Sequence, residues 1–526
     1  MGAVIRRCFW PIYALGLSAC LLLSLKTVFG ANGADADSIF SITLWQGVQV
    51  HGIGWIRHFL FTPDNWLLSI VPFNFLSFEL FGMRAWLAVA SGWVVFVLAA
   101  LFSALLAHEL GARRGALLLP VPLLLMGWYA QRLGFVAYPA SHDVTNMYGL
   151  AALLCAIRGI RTGRRGYFAL VLWLLAAGSV SDPWMMTAYD LPLLLYCAVA
   201  GLLPSPTARA MRWLAVIALA AILLVRTHML WTMRFLPSAS PNLASLHMMA
   251  ANASYLVKDL GGLLNIVPTE RMNDMLPALL SLAGAGVAGF ATWRAARQAG
   301  MMQEVVPRFF FATASLSTLL TVAAFVLLNI TQGDYSGRFL INVLYLFIIF
   351  VVVAIARGWR QMGWWQKSTT GLFMGLFLVC GLITTAPIWS APGFAMQTNG
   401  AEEIIGLLQA NGLTYGYGPY WGAEANVVTA LSSDRIIIRP VTFDPKTGWL
   451  LPQISHAASA PAWLTVQDVP PGQREFFVYV ASDGEECPDP ALCIAGLTAQ
   501  FGPPERRVEN GAASILVWSH PLLTAP

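Results

Sequence analysis

The sequence predicts a polytopic α-helical membrane protein with about eleven transmembrane helices, followed by a C-terminal α/β domain on the side opposite the N-terminus. Three observations carry this expectation. Of 526 residues, 57% are hydrophobic and only 11% charged, with a mean hydropathy of +0.65, far from the composition of a soluble globular chain. Apolar stretches able to cross ~30 Å of hydrocarbon recur along the first 389 residues. Finally, the arginines fall in alternate connections, as the positive-inside bias of membrane proteins requires.

In chain order the spans are read at residues 9–29, 85–107, 115–131, 145–158, 166–181, 186–203, 213–230, 275–292, 309–330, 339–356 and 369–389. Arg6 and Arg7 precede the first span, and Arg113 and Arg114 follow the second. Arg158, Arg161, Arg164 and Arg165 follow the fourth, and Arg209 and Arg212 follow the sixth. Arg294, Arg297 and Arg308 follow the eighth, and Arg357, Arg360 and Lys367 the tenth. The N-terminus is therefore expected in the cytoplasm and, after an odd number of spans, the tail outside. A cleaved signal peptide over residues 1–30 is the competing reading, since Arg6-Arg7, an apolar run and small residues near Gly30-Ala31 imitate one. The net charge of +5 follows from this topology and implies no nucleic-acid partner.

Three outer segments are expected: a long first loop at 30–84, a second at 231–274, and a domain at 390–526. Within the first loop, Ser38–Val50 reads as an amphipathic helix. Trp55–Phe81 is too rich in Trp, Phe and Leu for a solvated linker and suits the interface plane, covering a cavity. No internal repeat is evident, which weighs against many secondary-transporter designs. In the tail, Ala401–Asn411 has helical spacing, and Arg435–Val441, Phe476–Val480 and Ser514–Trp518 read as strands. Tyr415, Tyr417, Tyr420 and Trp421 form a cluster with two readings, a stacking platform for a sugar or a packed aromatic core.

Five of seven cysteines, Cys8, Cys20, Cys155, Cys197 and Cys380, lie in or beside apolar spans as small hydrophobes. Cys487 and Cys493 lie in the polar tail, six positions apart, and suit a disulfide in an oxidising compartment. A two-cysteine metal site is the alternative, but no second pair or histidine cluster completes it.

Charged residues close to a bilayer are costly, so acids at the outer ends of spans ask for a reason. Asp35 and Asp37 follow span one, Asp64 lies in Thr-Pro-Asp-Asn-Trp, and Asp143 in Ser-His-Asp-Val-Thr-Asn. Asp182 lies in Ser-Asp-Pro-Trp, and Asp334, Tyr335 and Arg338 in Gly-Asp-Tyr-Ser-Gly-Arg-Phe-Leu. Glycosyl transfer from a lipid phosphate needs such a set. A carboxylate takes the proton of the attacking hydroxyl, and a cation balances charge on the departing phosphate. Asp37, Asp64 or Asp143 suits the base, and Arg338 the cation. His51, His58 and His142 suit orientation of donor or acceptor, and Asp182 and Tyr335 are further candidates for binding substrate. Taken singly, each aspartate also fits a plain turn or loop cap, Arg338 an interfacial anchor, and each histidine an interfacial side chain.

The layout, with one span, a long loop bearing the early acid Asp37 in Ala-Asp-Ser-Ile, the second-loop acid Asp143, and an outer C-terminal domain, resembles the GT-C fold of polyprenyl-phosphate-sugar-dependent glycosyltransferases. Protein O-mannosyltransferases and the lipid A aminoarabinose transferases are relatives of that kind. Gly337-Arg338-Phe339-Leu340 is similar to the Arg-Tyr-Leu stretch that opens a late span in such enzymes, and the tail around Gly416-Tyr-Gly-Pro-Tyr-Trp looks like the outer domain of related bacterial membrane proteins. The Asp-Glu pair common in the first loop of the mannosyltransferase branch is absent, leaving Asp37 and Asp64 as alternatives for the first acid. The resemblance implies catalysis without a metal.

The expectation is thus an inverting glycosyltransferase of a bacterial inner membrane, moving one sugar from undecaprenyl phosphate to a periplasmic glycan, lipid or protein. Two other classes stay open: a flippase for a lipid-linked saccharide, for which Asp190 and Arg226 are the nearest mid-membrane polar residues, and a non-catalytic envelope assembly factor.

Overall fold

A computed structural model of the chain describes residues 2–61, 64–231, 242–267, 275–331, 333–451, 459–464, 469–481, 487, 489–510 and 513–523. Helices dominate the first 390 residues. α1 (Gly2–Ala31) leads into a first loop that holds α2 (Phe40–His51), a 3-10 turn at Ile53–His58 and α3 (Ile70–Phe81). α4 (Ala85–Glu109) follows, then the short α5 (Arg113–Leu118), α6 (Pro120–Leu124) and α7 (Trp128–Arg132). Next come α8 (Asp143–Thr162), α9 (Arg165–Ser181), α10 (Leu191–Leu202), α11 (Ala208–Trp231), α12 (Leu246–Leu264), α13 (Met275–Gln298), α14 (Val305–Leu327), α15 (Ile341–Gly358) and α16 (Trp364–Ser390).

Among the described residues, six helical stretches, Trp10–Ala31, Ala85–Glu109, Met275–Gln298, Val305–Leu327, Ser336–Gly358 and Trp364–Ser390, are long and apolar enough to cross a bilayer unaided. The shorter apolar helices Arg165–Ser181 and Met186–Leu202 coincide with the expected spans 166–181 and 186–203, and the expected spans 145–158 and 213–230 fall within α8 and α11. Leu15, Leu22, Leu101, Trp173, Leu219, Phe290, Leu319 and Ile383 point outward, a belt that water would not tolerate but hydrocarbon matches. This is a polytopic membrane protein.

One expected span departs from the reading. Residues 115–131 do not form one helix but three short ones, because Pro120 and Pro122 lack the amide hydrogens an unbroken helix needs. The opened backbone is partly satisfied by side chains, as where Thr384 Oγ1 on α16 accepts from the Trp128 amide at 3.1 Å. Ahead of α10, a π-helical segment at Met186–Asp190 precedes Pro192 in the first turn of the helix. The expected second outer loop contains α12, capped by the Ser245 hydroxyl accepting from Met248 N. Residues 232–241 and 268–274 of that loop lie outside the described set. So does the side chain of Arg226.

At one end of the bundle the positive loops carry their own counter-ions. Glu109 accepts from Arg158 at 3.0 Å and from Arg161 at 2.6 Å, and Arg357 pairs with Glu304. The acidic turns and the C-terminal domain sit at the other end.

The C-terminal domain is built of α17 (Ala401–Ala410), β1 (Tyr415–Gly418), α18 (Ala425–Leu431), β2 (Ile437–Pro440), β3 (Thr442–Phe443), β4 (Leu450–Leu451), β5 (Phe476–Ala481), α19 (Pro490–Phe501), β6 (Arg506–Asn510) and β7 (Ala513–Trp518). Its main sheet has the order β2-β1-β5-β7-β6. β2, β1 and β5 run parallel, and β7 is antiparallel to both its neighbours. The expected strands at 435–441, 476–480 and 514–518 are present, and Tyr415–Gly418 forms a central one. Cys487 and Cys493 are disulfide-bonded over the start of α19.

The domain is seated on the first loop. Gln397 N donates to Phe29 O at 3.0 Å, and Ala34 N to Gln397 O at 2.7 Å. Gly33 makes this approach possible: its φ is +61°, and a Cβ there would fall 2.1 Å from the Gln397 carbonyl oxygen. Leu60 N donates to Ser459 O at 2.8 Å, Gln46 on α2 reaches Asp434, and Phe59 meets Trp463 edge-on at 6.1 Å.

Candidate active site

Four segments meet where the domain covers the helical bundle: the turn after α1, the connection from α7 to α8, the 3-10 segment Gly333–Leu340, and the loop between β1 and α18. In the first, Asp35 organises the turn. Its Oδ1 accepts from Ser38 N at 2.8 Å and from the Tyr138 hydroxyl, and Ser38 Oγ accepts from Asp35 N at 2.9 Å. Burial raises the Asp35 pKa, and the Tyr138 and Ser38 hydrogen bonds offset this only in part.

Asp37, two residues on, is differently placed. It is only partly buried, and its Oδ1 accepts from the hydroxyl of Tyr420, 2.9 Å away on the C-terminal domain. Desolvation, followed by the charge of Asp35, pushes its pKa up to about 6, with Asp64 adding and with Tyr420 and Arg338 opposing. Asp64, half-buried, is thus within electrostatic reach of Asp37, as is the guanidinium of Arg338. That guanidinium lies over the Phe339 ring at 5.2 Å and the Phe135 ring at 5.8 Å. Phe135 and Ala137 both hold positive φ, 50° and 64°, a conformation non-glycine residues adopt where surrounding structure compels it.

A fourth carboxyl enters from the domain. Glu424 occupies the N-cap position of α18 with φ 44° and makes no side-chain capping bond; it is 9% exposed, and its Oε2 finds no hydrogen-bond partner among the described residues. Burial, then Asp35 and Asp37, raises its pKa to about 8, against one lowering hydrogen bond from Asn399. A carboxyl whose folded pKa is raised holds its proton more tightly folded than unfolded. The stability from that proton is fully present below the unfolded value near 4.5 and is lost as pH rises through about 8. Glu424→Gln, which copies the neutral form, is expected to melt about 2–4 °C above the parent at pH 8.5 and level with it at pH 5. Thermal denaturation in detergent checks this; an equal offset at both pH values would contradict a protonated Glu424.

The remaining expected residues are distributed around this centre. His142 Nδ1 lies 2.7 Å from Asp182 Oδ2, with both side chains buried. Asp182 also accepts from Thr145 Oγ1 and from Trp184 N at 2.9 Å. Burial alone would raise the Asp182 pKa, yet His142 and these hydrogen bonds outweigh it and hold it below the ordinary carboxylate range. The imidazole packs on Phe339, centroid to centroid 4.7 Å, and so borders the Arg338 region. Asp143 is 1% exposed and turned into the bundle: Asn146 Nδ2 reaches its Oδ1 at 3.4 Å, and Asn146 in turn accepts from Tyr189 at 2.9 Å. It belongs to a polar network between helices and is not brought to Asp37. His58 and His51 are exposed and pack on Trp55, at 5.8 and 4.3 Å; the structure does not join either to the cluster. The side chains of Tyr335 and Asp334 lie outside the described residues. Asp190 is fully buried and accepts from Ser179 Oγ at 2.5 Å. Tyr415, Tyr417 and Tyr420 are buried and Trp421 is 37% exposed, so most of the aromatic cluster is core. Asn252, in a glycosylation-like triplet, is buried with its amide donating to Val326 O and Leu328 O, both at 3.1 Å.

Sequence reasoning passed over Tyr138 and Glu424. Tyr138 lay in an apolar connection that gave no sign of its partner. Glu424 followed the aromatic cluster and drew no attention as a lone acid. Among the described residues no three His, Cys, Asp or Glu side chains are grouped to hold a metal ion.

No protein-family model matches the chain, and no curated protein matches it in sequence. Its structure is similar to that of ArnT from Cupriavidus metallidurans bound to undecaprenyl phosphate, with a TM-score of 0.54 at 12% identity, over 98% of this chain and 99% of that one. The fold is of the GT-C type. ArnT in the apo state aligns at a TM-score of 0.42 and 11% identity, over 99% and 100% of the two chains. The Archaeoglobus fulgidus oligosaccharyltransferase aligns at 0.46 and 11%, over 81% of this chain and 64% of that one. At such identities the likeness is one of fold. The likeness to ArnT bound to undecaprenyl phosphate, at 0.54, supports the GT-C architecture and transfers no residue roles.

Proposed function

We propose that the protein is an inverting glycosyltransferase that moves a sugar from a polyprenyl phosphate to a hydroxyl acceptor at the membrane face bearing the C-terminal domain. The observation that carries this reading is that Asp37, a partly open carboxylate with a raised pKa, lies within electrostatic reach of the guanidinium of Arg338. Asp37 takes the proton of the acceptor hydroxyl as its oxygen attacks the anomeric carbon. The bond from that carbon to the phosphate oxygen breaks on the opposite face, and polyprenyl phosphate leaves with its extra negative charge balanced by Arg338. A pKa near 6 leaves Asp37 ionised at neutral pH while keeping it more basic than an ordinary aspartate.

The undecaprenyl phosphate in the similar ArnT structure makes that carrier the first donor to try. We place the protein in a bacterial inner membrane with the domain in the periplasm, supported by the segregation of arginines and by the Cys487–Cys493 disulfide. We further propose that transfer needs no metal. His142, with Asp182, lines the donor side next to Arg338, and Asp64 tunes Asp37.

The test is transfer by purified protein from labelled polyprenyl-phosphate sugars to an envelope acceptor fraction, with and without EDTA. Label in the acceptor that resists EDTA supports the reading. A panel of donors that yields neither transfer nor polyprenyl phosphate release would refute it.

A further inference from the structure

We infer that Tyr420 of the C-terminal domain is a positioning residue for Asp37, so that the domain completes the catalytic centre and is not a detachable binding module. This rests on the reading of Asp37 as the base. Tyr420 is 1% exposed and follows β1 in Gly-Pro-Tyr-Trp, a loop held by β1 pairing to both β2 and β5. Its ring stands edge-on to Trp421 at 4.9 Å, and its hydroxyl donates to Asp37 Oδ1 at 2.9 Å. The bond joins residues 383 positions apart, across the junction of the two parts of the protein. It therefore exists only while the domain is seated. The backbone bonds of Gln397 to Phe29 and Ala34, and of Leu60 to Ser459, fix that seating within the same junction.

A carboxylate base with two equivalent oxygens needs one of them held if the other is to face the acceptor. Tyr420 occupies Oδ1 and leaves Oδ2 as the proton acceptor, the arrangement by which a hydrogen-bonded partner orients a base. The groups that act on Asp37 from the surrounding segments are Asp35 and Asp64 of the first loop, Tyr138 before α8, Arg338 before α15, and Tyr420 and Glu424 of the domain. Of these, Tyr420 and Arg338 favour the ionised form.

Tyr420→Phe keeps the ring and deletes the hydroxyl. The acid limb of the pH–kcat/KM profile is expected to move up by about one pH unit, the size of one hydrogen bond to a charged group, with activity below the limb falling about tenfold. In an Asp37→Asn background the same change should alter the residual rate less than about twofold, because a residue acting through Asp37 has nothing left to position. A merely structural role would instead lower activity evenly across pH and in both backgrounds. An unmoved limb overturns the inference. Infrared titration of the Asp37 carboxyl, isolated as the difference from Asp37→Asn, reads the same shift without turnover. A shift there in a protein that transfers no sugar would keep the Tyr420–Asp37 link and sink the base role, whereas no shift would sink the link itself.

Discussion

Asp37→Asn is expected to lower sugar transfer by about 10²- to 10⁴-fold, the usual worth of a general base, with donor KM changed little. The amide keeps the size of the side chain and can still accept from Tyr420 but takes no proton from the acceptor. Relief from three nearby carboxyls means that the variant should fold at least as well as its parent, so a large loss of rate cannot be charged to misfolding. The parent should show activity rising with pH to a plateau above about 6, since the base is competent only when ionised and its pKa lies near that value. Steady-state transfer from pH 5 to 8 measures both effects. If Asp37→Asn retains a tenth of the rate and Asp143→Asn loses it all, the base has been assigned to the wrong acid. The geometry speaks against that exchange, because Asp143 is 1% exposed and enclosed by the bundle, whereas Asp37 is partly open.

Arg338→Met is expected to cost about 10²- to 10³-fold in kcat, comparable to removal of one donor to a developing oxyanion. Methionine preserves much of the apolar stem and deletes the guanidinium that lies over Phe135 and Phe339. Arg338→Lys should recover only part of the loss, since an ammonium lacks the planar guanidinium that stacks on those rings and grips phosphate in a bidentate way. Loss of Arg338 also removes a cation that stabilises ionised Asp37, so the acid limb should move to higher pH. Rates measured with saturating donor separate this from weaker binding. A kcat within twofold of the parent in Arg338→Met would remove Arg338 from the phosphate.

How far these residues could be read in advance follows from the range of the interactions. Asp37 stood out because an acid just beyond an apolar span is locally expensive, and span and acid are both visible in a short window. Arg338 stood out for the same reason. Their mutual electrostatic reach was not visible, since residues 37 and 338 are brought near each other only by the packing of helices far apart in sequence. Asp143 was expected on the same side as Asp37; in the first turn of α8 its side chain points to Asn146 and the bundle, a direction that no short window of sequence reveals. Tyr420 was legible as an aromatic, with stacking on sugar and core packing left open. Its buried ring and its bond to Asp37 followed from the seating of the domain.

Local chemistry determined the membrane class, the run of helices, the two ends of the bundle and the tail's strands, because hydrophobic length, periodicity and charge act over tens of residues at most. Even there, the break at Pro120 and Pro122 divided a stretch that hydropathy alone presents as continuous. Only the tertiary structure decided which acid lies partly open beside Arg338, which is spent within the bundle, and that Glu424 and Tyr420 arrive from the other part of the protein. These are consequences of burial and of contacts between distant segments. A carboxyl's proton affinity is set by what surrounds it in space, which its neighbours in the chain do not reveal.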